Sequence, residues 1–534
     1  MTVHSLAPVL AILLPMGGAA VVYFVGRRFP RAAGPLAAAI LGLTFCMCVW
    51  VAAIVLGGRS AHLAIVAAPN GFLALYVDGL SALMLLLIGL LGLLAALYSL
   101  ASLPVLISRG HGQAERVPMY YGLLTLFVGT MVWATTTNNI VVLWMAVEGT
   151  TLASAFLVAF YWDRRALEAG YKYLLLLTVG ITFAMLGCIL LYSAASAQTA
   201  TATPMSPMLI THIAHNAGSL ASGNPSVVIA ATILLLVGFG AKAGLVPLHA
   251  WLPDAHSEAP APVSVLLSGV VIKVGAYALV RCILPFIPFV PGLSVALTIL
   301  AAVGMLWGIA ACAVQDDLKR LLAYSSLSQV GYVLMGVGMA TPLGIFGGLF
   351  HLLTHGIAKG LLFFAAGSVE HGSGERSLSK LGGLRSRMPI TSLVFFVGAL
   401  ALGGMPGFSG FLSKLTIFLA AADAGLWWAV VVGVVTGLLT LVVLARTATR
   451  IFLGRPAQHG IALAREVPAV MWGAMVLLAV LCVLLGTWPP LADALVGPAA
   501  EAVRASLPYG ATPITLAGTP RSAMNCPIYH REVI

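Results

Sequence analysis

Two lysines, Lys242 and Lys273, each lie inside an apolar run long enough to cross a membrane. An ammonium group at the centre of a bilayer costs about 2.5–3.5 kcal/mol on insertion scales. The stretch that contains the two lysines includes a polar, proline-rich turn, and Gly238, Gly240 and Gly244 weaken regular helix within it. Irregular backbone survives at membrane depth only where it is buried in protein or lines a wet cavity. The stretch therefore predicts an internal, hydrated site on a path for charge.

A second group of titratable side chains lies further along the chain. His351, His355 and Lys359 are spaced four residues apart, so they share one face of a helix. Histidine titrates near neutral pH, which suits this row to proton relay. The alternative is that both histidines are packing residues. A metal site would need a third or fourth ligand, and the sequence offers none at metal-binding spacing.

Two more charged residues, Glu148 and Lys414, also lie in apolar runs. The carboxyl group of Glu148 needs either a lysine partner or a proton, and a protonated Glu148 would bond to Thr150 or Thr151. For Lys242 and Lys273 the alternative is that they snorkel to the membrane surface. One later run contains polar side chains that either hold water or bond neighbouring helices: Tyr324, Ser325, Ser326, Ser328 and Gln329.

The composition excludes a soluble enzyme. The chain has 534 residues, of which 60% are apolar and 8% are charged, against about 25% charged in soluble domains. The net charge of +11 is spread over short loops, so it does not indicate nucleic-acid binding. Seven cysteines form no CxxC pair, and no iron–sulfur, haem or nucleotide motif is present. We expect no cofactor and no metal, and any redox chemistry belongs to partner proteins.

Apolar runs of about twenty residues predict fourteen transmembrane helices in an all-α, polytopic membrane protein. The runs fall at 5–26, 33–57, 79–103, 119–137, 139–161, 172–196, 227–250, 262–286, 292–312, 320–340, 342–370, 389–421, 426–452 and 468–488. The first run reads as a retained helix and not as a signal peptide. Most of the 27 Lys and Arg residues fall in the loops that are inside if the N-terminus is outside. We therefore expect both termini on the outer face of a bacterial inner membrane.

Two distant segments of the chain share a similar sequence pattern, which suggests an internal repeat. The seventh run contains FGAKAGLVP and the twelfth contains GGMPGFSGFLSKL, so each combines glycines, a proline and one lysine. The runs between them are arranged so that a repeat of five helices would be inverted. Inverted repeats with broken helices in matching positions are typical of transporters, whose binding site lies near the midplane.

These residues resemble a known family. The stretch AKAGLVPLHAWLPDAHSEAPAPVSVLLSGVVIKVGAYALVR, with Glu148 upstream and HLLTHGIAKGLLFF downstream, resembles antiporter-like, proton-conducting membrane subunits. Such subunits occur in respiratory complex I, in membrane-bound hydrogenases of the hydrogenase-4 and formate hydrogenlyase type, and in multisubunit sodium/proton antiporters. The resemblance covers roughly residues 75 to 455. The segments VEGTTLASAFLVAFY, ALEAGYKYLLL and VGITFAMLGCILLY look most like the F-type membrane component of hydrogenase-4 complexes, which is related to the M-type component of complex I.

The resemblance implies two inverted five-helix repeats, with helices seven and twelve broken. The repeats would occupy residues 116–286 and 287–455, after three helices in residues 1–115 and before a last helix and tail in 456–534. The resemblance also implies that Glu148 pairs with Lys242, and that a proton path continues to Lys414. The members of this path are Glu148, Lys242, Lys273, His351, His355, Lys359 and Lys414.

One residue departs from the pattern of the hydrogenase relatives. The M-type component of complex I and those relatives usually have a glutamate where this chain has Lys414, so the type of subunit stays open. The expected function is proton translocation by one subunit of a redox-driven complex, with other membrane subunits as partners. The alternatives are a subunit of a sodium/proton antiporter or of an inorganic-carbon uptake system, and a structural membrane scaffold.

Overall fold

Helices of membrane-spanning length form most of the chain, because an α-helix satisfies every backbone polar group within its own segment. The structure is a computed structural model, and it describes residues 3–57, 62–66, 73–110, 112–199, 207–455 and 464–507. Thirteen helices in the described residues are long and apolar enough to cross a membrane. A further crossing is divided into two shorter helices, which gives the fourteen crossings that the sequence predicts. The chain is therefore a helical, multi-pass membrane protein.

The first part of the chain contains three crossings and a small hairpin. Its elements are α1 (Val3–Arg28), α2 (Ala33–Leu56), β1 (Leu63–Val66), β2 (Ala74–Val77) and α3 (Gly79–Ser108). The two strands pair antiparallel, with Leu63 opposite Val77. The sequence analysis did not predict these strands, which lie outside the apolar runs. The side of the molecule on which this hairpin lies is called the hairpin face below.

The next part contains the helices of the first predicted repeat. They are α4 (Val117–Thr136), α5 (Ile140–Val158), α6 (Arg164–Thr199), α7 (Ile210–His215), α8 (Ala217–Gly223), α9 (Pro225–Ala243), α10 (Trp251–Glu258), α11 (Ala261–Leu266) and α12 (Ile272–Ile283). The predicted seventh run is broken between α9 and α10, as the glycines and prolines indicate. Gly244 ends α9 with a φ of +79°, a left-handed conformation that glycine adopts without steric cost. The side of the molecule that contains α10 is called the α10 face.

The eighth run contains a π-helical turn that was not predicted from the sequence. Residues Leu267–Val271 form one π-helical turn between α11 and α12, and the Ile272 N–H donates to the Leu267 carbonyl five residues back. Single π turns inside α-helices are frequent at functional sites. Lys273 follows this turn directly, so the irregular backbone lies beside one of the predicted site residues.

The remaining helices contain the second predicted repeat and the C-terminal part. They are α13 (Leu293–Ala313), α14 (Leu318–Gly338), α15 (Pro342–Ser373), α16 (Pro389–Gly403), α17 (Ser409–Asp423), α18 (Trp427–Leu453), α19 (Ala469–Thr487) and α20 (Pro489–Ala505). The break between α16 and α17 divides the predicted twelfth run. Gly404 lies in it with a φ of +84°. The expected surface tail is in part the helix α20, which packs against the start of α3. Residues 508–534 lie outside the described part.

The helices that contain the predicted site residues lie at the centre of the molecule. Every residue in the most apolar window of Ala261–Phe286 and of Pro342–Ser373 is buried, whereas only 28% of the corresponding window of α1 and 33% of that of α18 is buried. Helices α1 and α18 therefore lie at the periphery, where lipid or a partner covers them. The core that surrounds the site is made of α12 and α15.

The left-handed glycine at the second break provides a test of the fold. We expect Gly404→Ala to lower the free energy of unfolding by about 1–2 kcal/mol, because an L-residue is strained in this conformation. An added Cβ would also lie 3.2 Å from Lys414 Cδ. The measurement is urea unfolding of the purified chain in detergent. The control is Gly473→Ala within α19, where an added Cβ meets nothing within 4 Å and the expected change is between zero and a gain of about 1 kcal/mol. Equal effects of the two substitutions would contradict the role of Gly404.

Candidate functional site

Lys242 lies in the last turn of α9, directly before the break, and is buried. Cations are favoured at this end of a helix, because its last carbonyl groups carry a partial negative charge. The Lys242 ammonium donates to the Thr151 hydroxyl at 2.9 Å. The ring centre of Tyr173 lies 5.7 Å from the same nitrogen. The first predicted lysine is thus buried within the protein, and it does not snorkel.

Glu148 lies on α5, one turn before Thr151, and is half-buried. Its Oε1 accepts a hydrogen bond from the Thr178 hydroxyl of α6 at 2.8 Å. Its Oε2 is buried and has no hydrogen-bond partner in the described part of the chain. The ion pairs between described residues do not include Glu148 with Lys242. The direct pair that the resemblance implies is therefore not formed in this structure, and Thr151 takes the ammonium instead.

Lys273 follows the π turn of the eighth run and is buried. Its ammonium donates to the carbonyl oxygen of Ser268, a residue within that turn. The Ser268 hydroxyl shares a hydrogen bond of 2.8 Å with the hydroxyl of Ser326 on α14. The π turn thus presents both a carbonyl and a hydroxyl at the depth of the second predicted lysine.

Lys359 of α15 is joined to the same cluster. Its ammonium donates to the Leu322 carbonyl at 2.6 Å and to the Ser325 hydroxyl. The Ser326 hydroxyl also donates to the Leu322 carbonyl, at 3.0 Å. Lys273 and Lys359 therefore contact one polar cluster, which contains the Ser268 and Leu322 carbonyls and the Ser268 and Ser326 hydroxyls. Along α15, His355 lies between Lys359 and His351.

The two predicted histidines lie side by side in the core. The rings of His351 and His355 are nearly parallel, with an interplanar angle of 10° and centres 6.0 Å apart. His351 Nδ1 shares a hydrogen bond of 2.9 Å with the Ser413 hydroxyl of α17. His351 Nε2 and both ring nitrogens of His355 are buried and have no hydrogen-bond partner in the described residues. Buried polar atoms of this kind are ordinarily satisfied by protein or by ordered water, so these three positions favour bound water.

Lys414 lies on α17, at the other side of the second break, and is buried. Its ammonium donates to the Leu402 carbonyl at 2.7 Å, at the C-terminal end of α16. The same nitrogen lies 4.8 Å from the ring centre of Tyr332, and that ring centre is 5.2 Å from the ring centre of His351. Tyr332 thus lies between the histidine row and the last predicted lysine.

Several functional groups of this line were missed by the sequence analysis. Ser268, Ser413 and Tyr332 each bond or contact a predicted site residue, and none of them was singled out. The sequence did contain a signal for two of them, because each is a hydroxyl residue inside an apolar run. Ser268 is five residues before Lys273, and Ser413 directly precedes Lys414. Ser325 and Ser326 were considered only as part of a group that holds water or packs helices.

His256 extends the line towards the α10 face. It is fully buried, its ring stacks on that of Phe363 with centres 4.9 Å apart, and neither ring nitrogen has a hydrogen-bond partner in the described chain. The Lys359 ammonium lies 5.8 Å from the centre of the same Phe363 ring. The His256 ring and the Lys359 ammonium therefore both contact the ring of Phe363.

Ion pairs are concentrated at the α10 face. Arg376 pairs with Glu258 at 3.2 Å and with Asp317 at 2.8 Å, and Arg320 pairs with Asp254 at 2.9 Å. These side chains help to line an open cavity of about 480 Å³. The pairs connect α10 of the first predicted repeat with α14 and the segment after α15 in the second. In the described residues, no group of three or more His, Cys, Asp or Glu has the arrangement of a metal site.

The fold defines a helical, polytopic membrane protein, and titratable side chains are buried among its membrane-spanning helices. A family model described as "NADH:quinone oxidoreductase/Mrp antiporter, TM" matches residues 137–440. The chain belongs to this family, and the expectation drawn from its motifs is confirmed at this level.

Individual relatives bear several names. The chain is 37% identical to NADH-quinone oxidoreductase subunit N of Desulforudis audaxviator, over 65% of this chain and 68% of that protein. It is 32% identical to a hydrogenase-4 component F homolog of Methylacidiphilum infernorum, over 59% and 66%. It is 30% identical to Na(+)/H(+) antiporter subunit A1 of Staphylococcus aureus, over 80% and 54%. The matches span about half to two thirds of these relatives, and the type of subunit stays a prediction.

Solved structures of large assemblies contain similar chains. A chain of the Mrp complex from Dietzia sp. DQ12-45-1b has a TM-score of 0.80 and 26% identity, and the match covers 95% of this chain and all of that one. A chain of respiratory complex I from Thermus thermophilus has a TM-score of 0.79 and 25% identity, with 94% and 100% covered. A chain of the archaeal membrane-bound sulfane sulfur reductase has a TM-score of 0.80 and 28% identity, with 94% and 99% covered. All three are multisubunit membrane complexes, so membrane subunits are the partners that these likenesses support.

The hydroxyl that holds Lys242 provides a test of the site. We expect Thr151→Val to lower the free energy of unfolding by about 1–3 kcal/mol, because the buried ammonium loses its hydrogen-bond acceptor. The matched control is Thr125→Val, since the buried Thr125 hydroxyl bonds only the Tyr121 carbonyl of its own helix. Urea unfolding in detergent measures both variants. A loss in Thr151→Val no larger than in the control would contradict this assignment.

Asp316, in the segment between α13 and α14, provides a pH test. Burial raises the pKa of its carboxyl group, but hydrogen bonds from Ser377 and Ser379 outweigh burial and hold the pKa below its ordinary value. Because the pKa is lower in the folded state, the stabilisation is present above the pKa of the unfolded chain, near 3.9, and is lost as the pH falls through the folded value. We expect Asp316→Asn to flatten the acid limb of a stability–pH curve. Asp493→Asn, at an exposed carboxylate of α20, is expected to leave that limb unchanged, and equal curves for both variants would refute the assignment.

Proposed function

We propose that this chain is a proton-translocating subunit of a larger, redox-driven membrane complex. Protons would move along the buried line from Glu148 and Lys242 through the central lysines and histidines to Lys414. The observation that supports this most strongly is the connection between Lys273 and Lys359 at membrane depth. The Lys273 ammonium donates to the Ser268 carbonyl, and the Ser268 and Ser326 hydroxyls share a hydrogen bond. The Ser326 hydroxyl and the Lys359 ammonium both donate to the Leu322 carbonyl, so both ammonium groups contact one polar cluster. Hydroxyl groups both donate and accept, which suits them to proton relay.

The line runs sideways through the membrane, because its members belong to successive helices at similar depth. Lys242 and Lys273 are on α9 and α12, whose backbones approach so closely that a Cβ on Gly275 would lie 2.6 Å from the Ala243 nitrogen. Lys359 is on α15 and Lys414 on α17. A proton taken up at one end of this line would thus cross from the first predicted repeat to the second.

The unpaired Glu148 supports a switch at the beginning of the line. Its carboxylate is held by Thr178 on the side of α5 that faces α6, and the nearby α5 residues Leu152 and Phe156 are about half exposed. A neighbouring subunit on this surface would move the carboxylate towards or away from Lys242. Forming or breaking a buried ion pair changes stability by about 3–5 kcal/mol. Moving one charge through about 100 mV requires about 2.3 kcal/mol, so a change of this size corresponds to roughly 130–220 mV.

The proposal also includes the type of membrane, the orientation of the termini, the bounds of the repeats and the location of electron transfer. The membrane is a bacterial inner membrane, and both termini face outward, as the distribution of Lys and Arg predicts. The predicted repeats occupy residues 116–286 and 287–455. Electron transfer takes place in partner subunits, since the sequence contains no redox motif of its own.

A sodium/proton antiporter is the second candidate. The relative from Staphylococcus aureus is named as an Na(+)/H(+) antiporter subunit, and the Mrp complex contains a similar chain. Lys414 also favours this candidate in part, because hydrogenase-type members usually have a glutamate there. The two candidates differ in whether proton flux requires sodium. A subunit of an inorganic-carbon uptake system and a structural membrane scaffold are the third and fourth candidates.

The test uses the complete complex in proteoliposomes with an entrapped pH-sensitive dye. We expect Lys242→Ala and Glu148→Gln to reduce coupled proton uptake at least tenfold, since each removes a titratable group at the start of the line. The assembled complex should retain its subunits, as measured by size-exclusion chromatography. The control is Lys380→Ala, which removes a lysine paired with Glu375 at the α10 face and should leave uptake unchanged.

Three results would contradict proton translocation along this line or favour another candidate function. Normal uptake in well-assembled Lys242→Ala would contradict the proton path. Uptake that requires sodium on the opposite side of the vesicle would favour the antiporter. Loss of assembly with normal uptake in the complex that remains would favour the structural scaffold.

A further inference from the structure

A groove separate from the polar line lies between the ends of two peripheral helices. It is formed where α16 begins, at Pro389, and where α18 ends, at Leu453, together with the short helical turn Leu384–Ser386. Its volume is about 820 Å³, which is within the range of ligand-binding sites in proteins. Because both helices reach their ends here, the groove extends from the membrane surface into the apolar layer.

The outer end of the groove is polar and positively charged. Arg385 and Ser386 line it, and both are exposed. The Arg385 guanidinium forms no ion pair or hydrogen bond with the residues that the structure describes. A guanidinium is a planar donor that matches the geometry of a phosphate, so this end suits an anionic phosphate group.

The inner end of the groove is apolar. Phe396 and Phe452 line it, together with Leu393 and Leu453, which are 66% and 52% exposed. Side chains of this kind on a membrane-spanning helix face acyl chains, because lipid tails are as apolar as leucine. A ligand that fills the whole groove therefore needs a negatively charged head and a hydrocarbon tail.

The start of α16 does not supply the anion site itself. Glu466 accepts hydrogen bonds from the Ile390 and Thr391 N–H groups, so its carboxylate already occupies the N-terminal donors of this helix. Specific binding of a further anion would therefore depend on Arg385. This single residue makes the site testable by one substitution.

We propose that the groove binds one anionic phospholipid. Its phosphodiester accepts hydrogen bonds from Arg385 and Ser386, and one acyl chain lies between Phe396 and Leu453. Basic residues near a membrane surface attract anionic lipids, and basic pockets between transmembrane helices bind their head groups. The site is at the N-terminal end of α16, whereas Lys414 bonds the C-terminal end of that helix, and binding there does not depend on proton transport. A segment of a partner subunit is the competing occupant, and the experiment separates the two.

The experiment measures lipids retained by the purified complete complex, by native mass spectrometry after delipidation and titration with defined vesicles. The vesicles contain phosphatidylcholine with added phosphatidylglycerol. We expect the wild-type complex to retain phosphatidylglycerol in preference to phosphatidylcholine. Arg385→Gln should reduce that preference about fivefold, the contribution of one basic residue near an anionic lipid. The matched control is Arg387→Gln, an equally exposed arginine two positions away that does not line the groove, with an expected change below about twofold.

A second variant tests the apolar end without loss of charge. Leu453→Ser should weaken retention of phosphatidylglycerol and phosphatidylcholine alike, because it removes apolar contact with the acyl chain. Soluble glycerol phosphate at millimolar concentration should not displace the lipid, since it has no acyl chain. Displacement by glycerol phosphate would overturn the lipid assignment in favour of a free phosphate.

Equal effects of Arg385→Gln and Arg387→Gln would show that the attraction is a general surface effect, and would overturn the site. Failure of the wild-type complex to retain phosphatidylglycerol, together with a photo-crosslink from position 393 to another subunit, would assign the groove to a partner protein. None of these readouts uses proton flux, so the outcome is independent of the proposed function.

Discussion

Buried charge at membrane depth must be satisfied by groups within the protein, and this requirement shapes the centre of the structure. Five of the described lysines are buried. Lys319 pairs with the Glu370 carboxylate at 2.6 Å, whereas the other four each donate to a neutral oxygen atom. The acceptors are the Thr151 hydroxyl, the Ser268 carbonyl, the Leu322 carbonyl with the Ser325 hydroxyl, and the Leu402 carbonyl. Regular helix would offer few such carbonyl groups, because its own N–H groups occupy them. The π turn supplies the Ser268 carbonyl and the end of α16 supplies the Leu402 carbonyl, whereas the Leu322 carbonyl and the two hydroxyls belong to regular helices.

The neutral hydrogen-bond acceptors of these lysines affect how strongly a proton is held on each ammonium group. A carboxylate close to an ammonium at low dielectric holds the charge strongly, whereas a hydroxyl or carbonyl holds it more weakly and lets a proton move on. The carboxylates that do pair with basic side chains lie mainly near the two faces of the molecule. Asp78 pairs with Arg281 at the hairpin face, and Glu258 and Asp317 pair with Arg376 at the α10 face. Ion pairs therefore join the helix ends, and the interior keeps titratable groups in a line of weaker bonds.

The exposed apolar surfaces of the chain indicate where it contacts partner subunits and lipid. Half-exposed apolar side chains on α5 and α6 border Glu148, and similar side chains extend along α18 at the opposite side. The likeness to chains of three multisubunit complexes agrees with protein partners on such surfaces. The lipid groove between α16 and α18 lies at one end of the second surface, where charge and apolar area meet. Contact with neighbours and contact with lipid thus concern different parts of the same periphery.

Much of the architecture could be predicted from sequence. Apolar runs located the crossings, since lipid requires about twenty apolar residues for each helix, and glycines and prolines located both breaks. The hairpin was missed because four-residue strands leave almost no periodic signal. The π turn before Lys273 was missed as well, since its one glycine, Gly269, lies in an otherwise apolar run and does not specify a π turn.

The sequence by itself determined which charges are buried, because an ionisable residue in the middle of an apolar run has no short route to water. The tertiary structure alone decided what each charge touches. It placed Thr151 at the Lys242 ammonium and left Glu148 without an ion pair to that lysine. Helices far apart in the chain supply these contacts, and no spacing along one helix specifies which face of a distant helix it will meet.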